Sequence, residues 1–154
     1  MGAAVGISVF LVITTFLLHY AVFRWLSGGM SNFAMTAERR ILIIWLLTLS
    51  AHVVEVALYA AAYVLGERML EIGSLEGLQI VGPLDYFYFS IVAYTSLGMG
   101  DIVPSDHLRF ITGIETLNGL LLIAWSASFI YIAMAKLWSW RTCVEPGWRK
   151  PERT

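Results

Sequence analysis

Thr95-Ser96-Leu97-Gly98-Met99-Gly100-Asp101 is the stretch whose reading decides the fold. It lies between an aromatic-rich run, Tyr86 to Tyr94, and Ile102-Val103-Pro104, with long apolar segments on both sides. Two glycines one residue apart, hydroxyls before them and a carboxylate after them are an unusual package between hydrophobic spans. Non-helical backbone at membrane depth is tolerated only where protein or water shields it. Such a stretch reads as backbone held out of regular structure so that its carbonyls can face an ion.

The composition agrees with a membrane setting. Of 154 residues, 58% are hydrophobic and only 14% charged, with a mean hydropathy of +0.73, whereas soluble domains carry about 25% charged residues. The net charge of −1 says little until it is sorted by side of the membrane. Cys143 is the sole cysteine and reads as a free thiol.

The chain divides into an N-terminal transmembrane helix (1–26), a connector (27–40), a central module (41–140) and a tail (141–154). The first apolar run, Ala3 to Phe23, lacks a basic segment before it, so it reads as a retained helix rather than a leader. Ser27-Gly28-Gly29 breaks it, and residues 31–36 offer a weak signal for a short surface helix. Within the module, an outer helix occupies 41–65 up to Gly66, followed by an aqueous loop, 66–83, rich in glycine and glutamate. Residues 84–95 are too few to cross a ~30 Å core and too apolar for a surface loop, so a re-entrant half-helix fits best. Pro83 and Asp85 suit its first turn. The last helix, 108–140, is longer than a bilayer requires. Trp138 and Trp140 suit an interfacial belt, with Lys136 nearby.

Positive charge orients the chain. Arg24, Arg39 and Arg40 flank the connector, and Lys136, Arg141, Arg149, Lys150 and Arg153 mark the C-terminal part. The segment between Gly66 and Arg109 carries Arg68 and Arg109 against Glu67, Glu71, Glu76, Asp85, Asp101 and Asp106. The expectation is a multi-pass cell-membrane protein, with the N-terminus and the glycine stretch outside and the C-terminus cytoplasmic. Its acidic outer mouth would enrich cations.

On these residues the sequence resembles the pore module of the potassium-channel superfamily, with one extra helix in front, as in small bacterial ion-channel-like proteins. Ser96-Leu97-Gly98-Met99-Gly100-Asp101 stands where the family has Thr-Val-Gly-Tyr-Gly-Asp. The resemblance implies an all-α membrane protein of three transmembrane helices, a re-entrant pore helix and a selectivity-filter loop, assembled as a homotetramer in the lipid bilayer. It also implies K+ as the transported ion, moving passively. Carbonyls of Ser96, Leu97, Gly98 and Met99, with the Ser96 hydroxyl, would line the path up to Gly100, supported by Thr95 and Asp101. Met99 departs from the family's bracing aromatic. Methionine is flexible and lacks a strong donor, so two alternatives stand beside potassium conduction. One is a weakly selective potassium/sodium channel; the other is a non-conducting protein that keeps the fold for assembly or sensing.

Ionisable residues inside a membrane call for a functional hypothesis. Glu115 and Glu55 sit ~12 and ~15 Å from the outer ends of their helices by helical rise. They are expected at similar depth, with His52, Thr116 and Asn118 in reach. A static polar lock is the plainer reading, and a protonation-linked gating network the sharper one. Gly119 is expected to be a hinge of the last helix or else a close-packing position, with Gly113 competing for both roles. Ser126 and Ser128 read as bonded to backbone or neighbours rather than facing a wet cavity. His19 reads as an interfacial histidine without special role, and His19, His52 and His107 as too scattered for a metal motif. No catalytic arrangement, organic cofactor, nucleic-acid surface or partner protein is suggested. The first helix lacks the arginines of a voltage sensor.

Overall fold

A computed structural model describes residues 1–28, 35–77, 80 and 82–137. Its elements in chain order are α1 (Gly2–Gly28), α2 (Ala37–Arg68), β1 (Leu75–Gly77), α3 (Pro83–Tyr94), β2 (Ile102–Pro104) and α4 (Leu108–Leu137). Among the described residues three helices, α1, α2 and α4, are long and apolar enough to cross a membrane. The twelve-residue α3 spans only ~18 Å at 1.5 Å per residue. It packs against both α2 and α4, while α1 lies against α2 and α4.

Several boundaries differ from the sequence expectation. α2 begins at Ala37, so Arg39 and Arg40 belong to its first turns rather than to the connector. It also runs through Gly66 to Arg68. Gly66 acts here as a packing position: a Cβ would lie 2.8 Å from Leu108 Cδ2. The expected surface helix at 31–36 falls largely outside the described residues, and Met35 and Thr36, which are described, are not helical. Trp138, Trp140 and Cys143 also lie outside the described residues.

The loop after α2 holds a strand the sequence did not announce. β1 pairs antiparallel with β2, Leu75 opposite Pro104 and Gly77 opposite Ile102. Gly77 has φ +117, and a Cβ there would stand 2.2 Å from the Asp101 carbonyl oxygen. Backbone bonds extend the pairing, from Ser105 N to Ser74 O (2.8 Å) and from His107 N to Ile72 O (3.1 Å).

Among the described residues two apolar clusters fill the interior. One is built on Tyr59, Tyr63, Phe89, Leu108 and Ile111. The other is built on Phe23, Leu26 and Ile44, with Trp125 and Phe129 packed on it. Phe23 stacks on Phe129 with ring centroids 4.2 Å apart. Large aliphatic and aromatic side chains on the outer helix faces, such as Phe10, Trp45 and Leu121, are exposed, as a lipid-facing surface requires.

Gly119 sits where α4 meets the end of α3. A Cβ would lie 2.3 Å from the Tyr94 carbonyl oxygen, so this glycine is a close-packing position, one of the two roles read from the sequence. Around Gly113 the space is open. Gly119→Ala should therefore destabilise the folded protein by about 1–3 kcal/mol through overpacking. Gly113→Ala should leave it unchanged or stabilise it by up to about 1 kcal/mol, as helix propensity dictates. Thermal unfolding of the two variants in detergent checks the contrast.

Candidate functional site

The site begins with how α3 starts and stops. At its N-terminus Pro83 takes the first helical position, and Asp85 Oδ2 accepts the Gly82 backbone N–H at 2.9 Å. At its C-terminus Ser96 N–H bonds to Ala93 O (3.0 Å) and Leu97 N–H to Val92 O (2.9 Å). These are the paired bonds of a Schellman stop, which places its C′ residue in the left-handed region. That residue is Ser96, φ 59. Glycine is the usual occupant, and a side chain there carries strain of about 1–2 kcal/mol. Positive φ recurs at Gly98 (58) and Gly100 (77). Left-handed backbone thus returns at every second residue from Ser96 to Gly100, and both glycines stand where a side chain would be strained.

Leu97 and Met99 are 62% and 63% exposed on the single chain. The two ends of the stretch are fastened. Thr95 Oγ1 donates to Ile91 O at 2.7 Å, and Thr116 Oγ1 reaches from α4 to Ala93 O at 3.0 Å. Beyond the glycines, Asp101 Oδ2 accepts the Tyr88 hydroxyl at 2.7 Å and Oδ1 accepts the Ile102 backbone N–H at 3.1 Å. The Tyr88 hydroxyl, aided by backbone N–H groups, holds the Asp101 carboxyl below the usual carboxylate range.

Beneath this stretch the buried acids form two separate clusters, where the sequence reading expected one. Glu115 is fully buried and accepts Ser90 Oγ of α3 at 2.5 Å and the Tyr63 hydroxyl of α2. Ser90 also lies 2.9 Å from Val56 O, and Tyr63 3.0 Å from Thr112 Oγ1. Asn118 is not part of this cluster: its amide donates to Thr15 of α1 (2.9 Å) and to the Tyr59 hydroxyl (3.2 Å).

Glu55 anchors the second cluster. Its Oε1 lies 2.7 Å from His19 Nδ1, and its Oε2 lies 3.1 Å from His52 Nδ1 and 2.6 Å from the Tyr94 hydroxyl. Ser126 Oγ sits 2.9 Å from Nε2 of both histidines. His19, read from the sequence as an interfacial residue without role, is fully buried in this cluster. The expectation of scattered histidines is likewise corrected for two of the three. His19, His52 and Glu55 bring ligand-type atoms within 4.8 Å of one another, while His107 stands apart and exposed before α4. No local pattern could have revealed this, because His19 and Glu55 are 36 residues apart on different helices. Ser128 behaves as expected of a membrane-helix serine, its Oγ donating to Ala124 O at 3.0 Å.

Three spanning helices, with a short helix packed against two of them and a left-handed glycine stretch at its C-terminus, define a multi-pass membrane protein of channel type. A family model described as an ion channel matches residues 43–136, from α2 to nearly the end of α4. The chain belongs to this ion-channel family, with its two-span, potassium-channel-like pore. No curated relative and no solved structure matches it.

Tyr88→Phe should raise the Asp101 pKa toward its ordinary value of about 3.9. Because the folded-state value is depressed, the brace's stabilisation is present above that ordinary value and is lost as pH falls through the folded value. Carboxyl-carbon NMR of Asp-labelled protein reads both titrations. Identical curves for wild type and variant would contradict the Tyr88–Asp101 bond.

Proposed function

We propose that four copies of the chain assemble a passive channel that carries potassium ions down their gradient across the cell membrane, with Ser96 to Gly100 as its filter. The observation that carries this reading is the alternation of left-handed backbone at Ser96, Gly98 and Gly100 directly after a twelve-residue helix between two spans. One chain contributes one such strand, and enclosing an ion with carbonyls needs a closed ring of them, which cyclic symmetry supplies. In this assembly α3 is the re-entrant pore helix, and the exposed faces of Leu97 and Met99 are covered by neighbouring copies. The acidic loop faces outward and the basic C-terminal part lies in the cytoplasm, following the asymmetry of positive charge.

The supports around the stretch fit that role. Tyr88 and Asp101 tie the outer end to α3, and Thr116 ties the inner end to α4. Met99 is the position at which selectivity is decided. Its thioether offers no strong donor, so the filter relies on the Asp101 brace and on neighbouring copies to keep its width. If that width relaxes, sodium passes as well.

Reversal potentials of purified protein in liposomes under opposed potassium and sodium gradients test the proposal. Wild type should reverse near the potassium equilibrium potential. Reversal near zero would assign it to weakly selective channels, and absence of flux from intact tetramers would leave the fold a non-conducting role. Gly98→Ala should lower flux although nothing crowds its Cβ, because the left-handed φ of +58 costs a side chain about 1–2 kcal/mol.

A further inference from the structure

We propose that His19, His52 and Glu55 form a binding site for one divalent transition-metal ion of the zinc class, at the junction of α1, α2 and the end of α3. Two imidazole nitrogens and one carboxylate oxygen are a donor set such ions favour. The donor atoms lie within 4.8 Å of one another. Four-coordinate zinc, with bonds of about 2.0–2.2 Å, holds neighbouring donors about 3.3 Å apart. His19 Nδ1 stands 2.7 Å from Glu55 Oε1 and His52 Nδ1 3.1 Å from Oε2, so each nitrogen is already beside the carboxylate, and small side-chain rotations within the 4.8 Å set bring the donors onto one ion. The Tyr94 hydroxyl, 2.8 Å from His52 Nδ1 and 2.6 Å from Glu55 Oε2, is placed as the fourth donor.

The groups around these donors hold them in the required sense. Metal-bound histidine normally gives its other ring N–H to an acceptor that fixes tautomer and orientation. Here one oxygen, Ser126 Oγ, stands 2.9 Å from both Nε2 atoms. A hydroxyl oxygen has two lone pairs, so when an ion takes both Nδ1 atoms, Ser126 accepts both Nε2–H groups and fixes the tautomer that coordination needs. Phe23 and Trp125 pack on the His19 ring, with centroids 4.4 and 5.4 Å away. The His19 and Glu55 side chains are fully buried, and His52 is 18% exposed, so His52 is the side from which an ion enters.

Such an ion would join three helices at one point. Tyr94 is the last residue of α3, two positions before Ser96. Metal at this site would therefore fasten the end of α3 to α1 and α2 more tightly than hydrogen bonds do.

The test uses the purified full-length chain in detergent, stripped with chelator and titrated with Co2+ alone. Saturation at one Co2+ per chain is expected, with the intense visible absorption of four-coordinate cobalt, bleached by added Zn2+. X-ray absorption of the cobalt-loaded wild type should show outer-shell scattering from two imidazoles. His19→Ala and His52→Ala should each weaken binding at least tenfold, and His107→Ala should leave it unchanged. Absence of saturable binding by wild type, scattering from fewer than two imidazoles, or affinity unmoved by His19→Ala would each overturn the proposal. The two wild-type measurements decide it even if a variant does not fold.

Discussion

A carboxyl group placed at membrane depth has to be answered from within the protein, and Glu115 is answered by hydroxyls from two other helices. Ser90 brings α3 to it and Tyr63 brings α2. An unsatisfied polar group in hydrocarbon costs several kcal/mol, so α2, α3 and α4 meet in the register that closes these contacts. That register sets the height of α3, and hence where its chain end delivers Ser96. One turn further along α4, Gly119 removes the side chain that would hold the helices apart, and Thr116 binds the last turn of α3. The position of the glycine stretch thus follows from a few polar contacts set within ordinary apolar packing.

The Glu55 cluster does for α1 what Glu115 does for α3. Without His19, one Glu55 oxygen would lose its 2.7 Å partner, and without Thr15 the Asn118 amide would lose one of its two acceptors. The first helix is therefore part of the polar interior of the chain. Its aromatic residues reinforce this, Phe16 and Phe23 both packing against Trp125 of α4.

What could be read from the sequence was what is locally encoded. Span length, hydropathy and the brevity of the apolar segment before Gly98 are properties of consecutive residues, and they yielded three spanning helices and the short α3. The Gly-x-Gly pattern marked positions that do take positive φ, but Ser96 escaped notice as a third because serine gives no such signal. The partners of the buried acids were not legible. Glu55 and Glu115 were expected together on grounds of depth, yet depth leaves the azimuth around each helix open, and they face different neighbours. The rotation that brings His19 to Glu55 is fixed by packing across 36 residues of chain. β1 was hidden for another reason: three residues, Leu75-Glu76-Gly77, carry no periodicity, and only β2 makes them a strand.

The small ladder has a mechanical consequence. Backbone bonds run from Gly66 O to Ile72 N, from Ile72 O to His107 N, and from Ser74 O to Ser105 N, before β1 meets β2. The C-terminal end of α2, the start of α4 and the strand that begins two residues after Gly100 are therefore stitched into one piece of main chain. A force that tilts either helix, such as a change in bilayer thickness, arrives at Asp101 through peptide groups rather than through side chains. The linkage consequently depends little on the other side chains of the loop, provided that Gly73 and Gly77 keep the backbone close enough to be stitched.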